Sequence, residues 1–433
     1  MTPIQVGLIG ILILILLLAA SMPVAFAMGI VGFIGFSIIV SPSAAMSMIS
    51  TDLFDTFSSY SLTVIPLFVL MGQVALHAGI SRKLFDAAYH WVGFLPGGMA
   101  IATVGACTGF GAICGSGPAT AATMASVALP EMRRFNYSMQ LGTGAVAAGG
   151  GLGMLIPPSV VFICYAVMTE QSIGSLFLAG IMPGILIAVL FGLTIWAQCK
   201  MHPSMGPVAE PTPWKAKFRS LLGVSETLLL FVLVMGGMFG GFFTPTEAAA
   251  IGAGGSLVVA AFRRRLTFKM LTQSLRETAR TSCMVLIIVA GAVMFGHFLA
   301  VTRIPFELAA WLSGLALPSW LIIAFIILFF LIAGCFVDAL ALIMLTIPIF
   351  YPVVTDLGFD AIWFGVIIVV VTQMGVISPP VGVNVYVVSG IERDVPLQTV
   401  FKGTLPFLLA LVVASAILVA FPAISLWLPN LLQ

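Results

Sequence analysis

The sequence has 433 residues, of which 61% are hydrophobic and only 7% are charged, with 17 Lys+Arg and 15 Asp+Glu. A soluble chain of this length carries about 100 charged residues. The composition excludes a water-soluble enzyme, a nucleic-acid-binding protein and a disordered scaffold, and it predicts an all-α integral membrane protein. The four His and six Cys are scattered without metal-ligand spacing, so we expect no cofactor and no metal centre.

Apolar segments recur along the whole chain, and most are long enough to enter a bilayer. They lie near 4–20, 24–40, 61–79, 97–132, 140–168, 176–198, 221–242, 246–261, 282–301, 319–354, 361–390 and 404–428. The longest polar linker, 200–220, contains four prolines, which predicts an extended loop and no soluble domain. Together these segments predict about ten full spans.

Two segments are too long for a single span. The segment 97–132 is interrupted at Gly115-Ser116-Gly117-Pro118, where the glycines favour a tight turn and the proline suits the first turn of a helix. This pattern predicts a re-entrant hairpin, in which two half-helices meet inside the membrane; two very short spans or one kinked span are the alternatives. The segment 319–354 is interrupted at 334–338, which predicts a second hairpin.

Basic clusters set the predicted sides of the membrane, because Lys and Arg accumulate in cytoplasmic loops. The clusters lie at 82–83, 133–134, 200–219 and 263–280. With each hairpin entering and leaving on one side, this pattern places both termini outside the cytoplasm.

An internal repeat is indicated by two proline pairs, Pro157-Pro158 and Pro379-Pro380, which lie 222 residues apart (from 157 to 379). The same offset relates Pro96 to Pro318, Pro130 to Pro352, and Ser116 to Asp338. Unrelated landmarks that share one offset indicate duplication. The charge pattern gives the two copies opposite orientations, so we predict inverted repeats.

Four regions follow from this duplication. Residues 1–60 form N-terminal scaffold spans, 61–198 the first repeat, 199–281 connecting spans and cytoplasmic loops, and 282–433 the second repeat. Each repeat is predicted to contain a scaffold span, an interfacial arm helix, a hairpin and a broken helix, and the second ends in a last span. The arm helices are predicted at 81–91 and 303–311, where charged and aromatic residues suit the membrane interface.

Inverted repeats with broken helices are typical of secondary transporters. Interrupted backbone frees carbonyl groups for a small cation such as Na⁺, and half-helix N-termini attract anions. The candidate residues of the first repeat are Gly115, Ser116, Gly117, Thr120, Gly149, Gly150, Gly151, Gly153, Ile156, Pro157, Pro158 and Ser159. Those of the second are Gly334, Asp338, Gly375, Ser378, Pro379, Pro380 and Asn384.

Asp338 is the charged residue predicted at a break within the membrane. A carboxylate at that depth costs about 2.5–3.5 kcal/mol or more, and such residues usually have a function. Three roles are open: ligand of a cation, relay of a proton, or acceptor of a substrate hydroxyl or amine. Glu247, three residues after Thr244 at the start of a span, is predicted to cap a helix instead.

Four motifs resemble the large membrane subunit of tripartite ATP-independent periplasmic (TRAP) transporters, and the resemblance spans nearly the whole chain. The motifs are Gly-Ala-Ile-Cys-Gly-Ser-Gly-Pro-Ala-Thr at 111–120, Gly-Leu-Gly-Met-Leu-Ile-Pro-Pro-Ser at 151–159, Phe-Thr-Pro-Thr-Glu-Ala-Ala-Ala at 243–250, and Ser-Pro-Pro-Val-Gly-Val-Asn at 378–384.

The resemblance implies a permease of the bacterial inner membrane that works with a separate small four-helix membrane subunit and a periplasmic substrate-binding protein. It further implies sodium-coupled uptake of a small carboxylate, such as a C4-dicarboxylate or sialic acid, by an elevator movement of the hairpins. By motif position, sodium is expected at Gly115, Ser116, Gly153, Ile156, Pro157, Gly334, Asp338, Gly375, Ser378 and Pro379. Substrate is expected at Ser116, Thr120, Ser159, Asp338 and Asn384.

Two other functional classes remain open from the sequence. A proton-coupled carrier or ion antiporter would use Asp338 as its proton site. An intramembrane enzyme is disfavoured, because no paired catalytic carboxylates and no Ser/His arrangement stand out.

Overall fold

The computed structural model describes residues 2–314 and 318–432, and every regular element in these ranges is helical. The first helices are α1 (Pro3–Ala19), α2 (Val24–Ile39) and α3 (Pro42–Ser58). They are followed by α4 (Val64–His77), α5 (Ile80–Val92), α6 (Gly98–Cys114), α7 (Gly117–Arg134), α8 (Met139–Gly151), α9 (Val160–Thr169) and α10 (Ile173–Met201). The predicted all-α membrane fold is confirmed.

A connecting region and a second long run of helices complete the chain. The connecting helices are α11 (Trp214–Phe231), α12 (Gly237–Phe239) and α13 (Pro245–Phe262). The second run is α14 (Phe268–Thr302), α15 (Ile304–Gly314), α16 (Ser319–Gly334), α17 (Ala339–Asp356), α18 (Ala361–Gly375), α19 (Val383–Ile391), α20 (Leu397–Ala420) and α21 (Ala423–Leu432). Both terminal residues, Met1 and Gln433, lie outside the described residues.

Seven helical stretches of the described chain are long and apolar enough to cross a membrane. About ten full spans were predicted from the sequence. Six of the seven stretches coincide with predicted spans, and the seventh is α17, an arm of the second predicted hairpin. The other four predicted spans differ because the apolar segments 140–168 and 361–390 each fold as two shorter helices, and because α1 and α2 have only 17 and 16 residues. Two of the shorter helices, α6 and α16, are arms of the predicted hairpins.

Several boundaries differ from those read off the sequence. Helix α3 was not predicted, because its Ser, Thr and Asp residues lower its hydropathy; Ser41 caps it by accepting a hydrogen bond from the Ala44 N–H at 3.1 Å. The linker 200–220 is not extended throughout, since α11 already begins at Trp214. The last apolar segment, 404–428, is divided into α20 and α21 just before Pro422. The predicted cap at α13 is confirmed, because Glu247 accepts from the Thr244 N–H at 2.8 Å.

The two long runs of helices have the same order of elements. Each contains a scaffold helix (α4, α14), a short arm helix (α5, α15), a hairpin (α6–α7, α16–α17), a broken helix (α8–α9, α18–α19) and a final long helix (α10, α20). Both proline pairs, Pro157-Pro158 and Pro379-Pro380, follow the first half of a broken helix, and both are cis.

Equivalent helices of the two runs make equivalent contacts. Helix α6 packs on α8 as α16 packs on α18; α7 packs on α19 as α17 packs on α9; and α8 packs on α20 as α18 packs on α10. Two of these three contacts join one run to the other, so the hairpins and broken helices form one interlocked body. Helices α2, α3, α4 and α14 pack together beside it.

Candidate functional site

The two hairpin tips open onto the same cavity, which has a volume of about 300 Å³. Ser116 lies at the first tip and Asp338 at the second, and both line the cavity. Its opposite wall is formed by α4 and α14, through residues that include Gln73 and Thr281. The site therefore lies between the interlocked body and the neighbouring helices, and the pairing of Ser116 with Asp338 by the sequence repeat corresponds to a pairing in space.

The first tip is a sharp turn between α6 and α7. Gly115 has a left-handed backbone conformation (φ 65°) that ends α6, and Pro118 lies in the first turn of α7. The Thr120 hydroxyl donates to the Ser116 carbonyl at 2.8 Å, which fixes this turn. Ser116 is the N-cap residue, yet its side chain makes no capping hydrogen bond with α7. Gly117 and Ala119, which carry N–H groups in the first turn of α7, line the cavity, and the Ser116 side chain does not cap them.

The second tip differs because its N-cap is charged. Asp338 accepts a hydrogen bond from the Leu340 N–H at 3.1 Å, which caps α17. Its side chain is exposed to the cavity, whose lining contains no Lys, Arg or His within the described chain. Asp338 therefore has no basic side chain in the cavity to balance its charge.

Glycine pairs bring the hairpins against the broken helices. A Cβ atom on Gly111 would lie 2.6 Å from the Gly153 Cα, and one on Gly375 would lie 2.6 Å from the Gly334 Cα. A Cβ on Gly153 would also lie 2.7 Å from the Thr120 hydroxyl and 3.0 Å from the Ser116 carbonyl oxygen. Gly153 and Gly375, both predicted as sodium ligands, thus occupy positions too close to a neighbouring segment for any side chain. A Cβ on Gly334, the third predicted ligand, would make only ordinary contacts, the nearest with the Gly375 Cα at 3.4 Å.

Main-chain hydrogen bonds link each tip to the segment after its proline pair. The Val160 N–H donates to the Gly115 carbonyl at 3.4 Å, and the Val381 N–H donates to the Cys335 carbonyl at 3.3 Å. Ile156 directly precedes the first proline pair, and Pro157 and Pro379 are the first residues of the two pairs; none of the three is part of the cavity wall. Prolines contribute carbonyl oxygens without N–H groups, so both segments are rich in acceptors.

Three predicted polar residues are buried and bonded within the protein. The Ser159 hydroxyl donates to the Met154 carbonyl, and the Ser378 hydroxyl donates to the Met374 carbonyl at 2.6 Å. The Asn384 side-chain amide donates to the Ala147 carbonyl of α8 at 3.0 Å, across the two runs of helices. None of the three lines the cavity, and Thr120 is likewise buried behind Ser116.

Sequence reasoning missed three polar residues near the site. Gln73 and Thr281 lie in continuous helices with no break to mark them, yet they form the cavity wall opposite the tips. Gln373 is buried against Gly151, and neither its amide nitrogen nor its carbonyl oxygen has a partner among the described residues. The 222-residue offset could have revealed Gln373, because it aligns this residue with Gly151 of the predicted first cluster.

Comparison with known proteins identifies the family. The family model described as "Tripartite ATP-independent periplasmic transporter, DctM component" matches residues 11–424. The chain belongs to the TRAP transporter DctM family. This TRAP permease component is a transporter subunit and not an enzyme, and it is an integral membrane protein.

Curated relatives of this TRAP permease agree with the assignment. The C4-dicarboxylate TRAP transporter large permease protein DctM of Pseudomonas aeruginosa is 39% identical over 91% of this chain and 91% of the relative. The isethionate TRAP transporter permease protein DctMQ of Oleidesulfovibrio alaskensis is 35% identical over 95% of this chain but only 64% of its own length. About a third of that relative thus lies outside the part shared with this TRAP permease.

A solved structure has the same fold as this TRAP permease. The YdaH transporter of Alcanivorax borkumensis superimposes with a TM-score of 0.65 over 88% of this chain and 89% of that chain, at 14% sequence identity. The similarity concerns the fold of a membrane transporter.

Proposed function

We propose that this TRAP permease imports a small carboxylate across the bacterial inner membrane, driven by a sodium gradient. A periplasmic binding protein delivers the substrate, and a small four-helix membrane subunit completes the complex. Both termini lie on the periplasmic side. The observation that carries the proposal is the single cavity onto which both hairpin tips open, with one uncapped helix N-terminus and one carboxylate.

The anionic substrate is assigned to the first tip. Free N–H groups at a helix N-terminus carry partial positive charge and bind anions. At the start of α7, Gly117 and Ala119 line the cavity, and the Ser116 hydroxyl makes no capping bond there. At the start of α17 the Asp338 carboxylate already occupies the equivalent position. The substrate carboxylate therefore binds at Ser116.

The cation is assigned to the second tip. An unpaired carboxylate within the membrane is stabilised by a cation, and no basic side chain of the described cavity wall supplies one. Main-chain carbonyl oxygens of the break at 334–338 are expected to add neutral oxygen ligands of the kind that hard cations prefer. Sodium near Asp338 would also offset the repulsion between this carboxylate and an anionic substrate. Substrate and sodium would then bind more tightly together than separately.

The names of the relatives indicate which class of substrate to expect. The Pseudomonas relative is named for C4-dicarboxylates, and the Oleidesulfovibrio relative for isethionate, which is a sulfonate. Both are small organic anions, as a site built on a helix N-terminus requires. A C4-dicarboxylate, sialic acid or a similar acid fits the same requirement.

Sodium dependence is the first test of this proposal. Proteoliposomes that contain the permease and its small subunit, with binding protein and labelled carboxylate outside, should accumulate substrate only under an inward sodium gradient. Replacing sodium with potassium on both sides should reduce accumulation to the level of empty liposomes. Undiminished uptake without sodium, together with dependence on a proton gradient, would favour a proton-coupled carrier that uses Asp338.

Alternating access is tested at the first tip. We propose that the interlocked body moves as an elevator past α4 and α14, which carries both tips across the membrane. In a background without the six native cysteines, Ser116→Cys should react with an impermeant thiol reagent from the outside in one state of the transporter and from the inside in the other. Cys114 must be removed because it lines the same cavity. Reactivity from only one side under every condition would contradict the elevator movement.

A further inference from the structure

An apolar groove lies among the first arm helix α5, the hairpin helix α6, α10 and α11, away from the cavity at the tips. Its volume is about 560 Å³, and its walls come from α5, α6, α10 and α11. Small residues in its walls leave the space free, among them Gly105 on α6 and Gly192 on α10. The groove is an apolar space on a membrane protein, and its wall includes Trp91 near the end of α5.

One stripe of α11 connects this groove to a cationic group. Leu221, Val224 and Leu228 line the groove and lie three or four residues apart, so they share one helix face. Lys217 lies one turn before Leu221 on the same stripe. From Lys217 to Leu228 the helix rises by about 16 Å, close to the hydrocarbon depth of about 15 Å in one leaflet.

Aromatic rings hold the Lys217 ammonium at the end of the groove. Its Nζ lies 4.8 Å from the ring centroid of Phe94, 4.9 Å from that of Trp214 and 5.8 Å from that of Trp91. The Trp91 indole N–H is buried and has no hydrogen-bond partner within the described chain. Trp and Lys residues at the membrane boundary are typical of the headgroup region.

The charge around this end of the groove is positive. The segment 210–226 contains Lys215, Lys217 and Arg219 against Glu210 and Glu226 at its two ends, a net charge of +1 (3 − 2), and Glu226 is paired with Arg263. Trp214 and Phe218 are largely exposed there, although each is a large apolar side chain. Exposed aromatics beside basic residues bind the interface of a membrane that contains anionic lipid.

We propose that this groove is a binding site for one anionic phospholipid. The acyl chain lies along Leu221, Val224 and Leu228, and the phosphate lies at the Lys217 ammonium. The lipid fits because the groove is apolar over about the depth of a leaflet and cationic only at its end. The site is distinct from the cavity at Ser116 and Asp338, so it does not depend on the proposed transport function.

The test measures lipid that remains on the permease, purified with its small subunit, after transfer from nanodiscs of phosphatidylethanolamine and phosphatidylglycerol into detergent. Native mass spectrometry should find phosphatidylglycerol retained on the wild-type complex. Lys217→Ala should reduce that retention about fivefold, which corresponds to about 1 kcal/mol for one Lys near an anionic headgroup. Gly192→Leu should reduce it similarly, because a Cβ on Gly192 meets only Ile101 at 3.8 Å and the larger side chain would fill the groove.

Matched variants separate this site from general effects. Lys215→Ala removes an equal charge from another face of α11, and Gly254→Leu adds equal bulk where no atom lies within 4 Å. Both should retain phosphatidylglycerol as the wild type does. Equal retention in all four variants would overturn the proposal, as would equal retention of both lipids by the wild type. A complete lack of retained lipid on the wild-type complex would also overturn it, and would favour the small subunit as the occupant of the groove.

Discussion

Asp338→Asn is expected to reduce sodium-driven uptake by about 10- to 100-fold, the loss that corresponds to one charged interaction of about 1.5–3 kcal/mol. The substitution removes the negative charge at the second tip but preserves the helix cap, because Asn and Asp are equally good N-cap residues. The hydrogen bond from the Leu340 N–H can therefore persist. Initial uptake rates in proteoliposomes at saturating binding protein measure the effect.

Asp360→Asn is the matched control for this variant. Asp360 also caps a helix, since it accepts a hydrogen bond from the Trp363 N–H at 2.9 Å, but it does not line the cavity. Uptake by Asp360→Asn should stay within about twofold of wild type, because the cap is preserved. If Asp338→Asn transported as fast as Asp360→Asn, Asp338 would be only a capping residue and the assignment of the cation to the second tip would be wrong.

The fold could be predicted from the sequence because lipid restricts the possible structures. Within a bilayer, irregular backbone is tolerated only where protein or a polar cavity covers it, so Gly and Pro interruptions mark functional breaks. The breaks at Gly115 and Asp338 were found in this way, and the structure places both on one cavity. Helix α3 was not predicted because its mixture of polar and apolar residues is not hydrophobic enough to indicate a membrane span, and it is too short to indicate a soluble domain.

The site was predicted less completely than the fold. Glycine and proline interruptions in the sequence predict the two hairpin tips. They do not predict the opposite wall of the cavity, because Gln73 and Thr281 belong to uninterrupted helices. Ser159 and Asn384 were also predicted at the substrate site, and their side chains bond to main-chain carbonyls inside the interlocked body. Sequence spacing locates a residue along a helix, but only packing determines which way its side chain points.

Gly375→Ala is expected to destabilise the permease by about 1–3 kcal/mol, the usual effect of overpacking a close contact. The added Cβ would lie 2.6 Å from the Gly334 Cα, and backbone cannot move aside as a flexible side chain can. Helices α16 and α18 would have to separate, which would also displace the carbonyl oxygens assigned to sodium. Thermal unfolding with and without sodium measures both effects, since a bound ion stabilises the folded state.

The control for Gly375→Ala is Gly390→Ala in α19, where a Cβ would meet no atom within 4 Å. There the stability should be unchanged or higher by about 0.5–1 kcal/mol, because alanine favours a helix more than glycine does. Gly153→Ala tests the matching contact of the first repeat, where the Cβ would meet the Thr120 hydroxyl at 2.7 Å. If Gly375→Ala kept both its stability and its stabilisation by sodium, close backbone approach at the second break would not be required for sodium binding. Loss of that stabilisation in Gly375→Ala but not in Gly153→Ala would assign the sodium site to the second repeat alone.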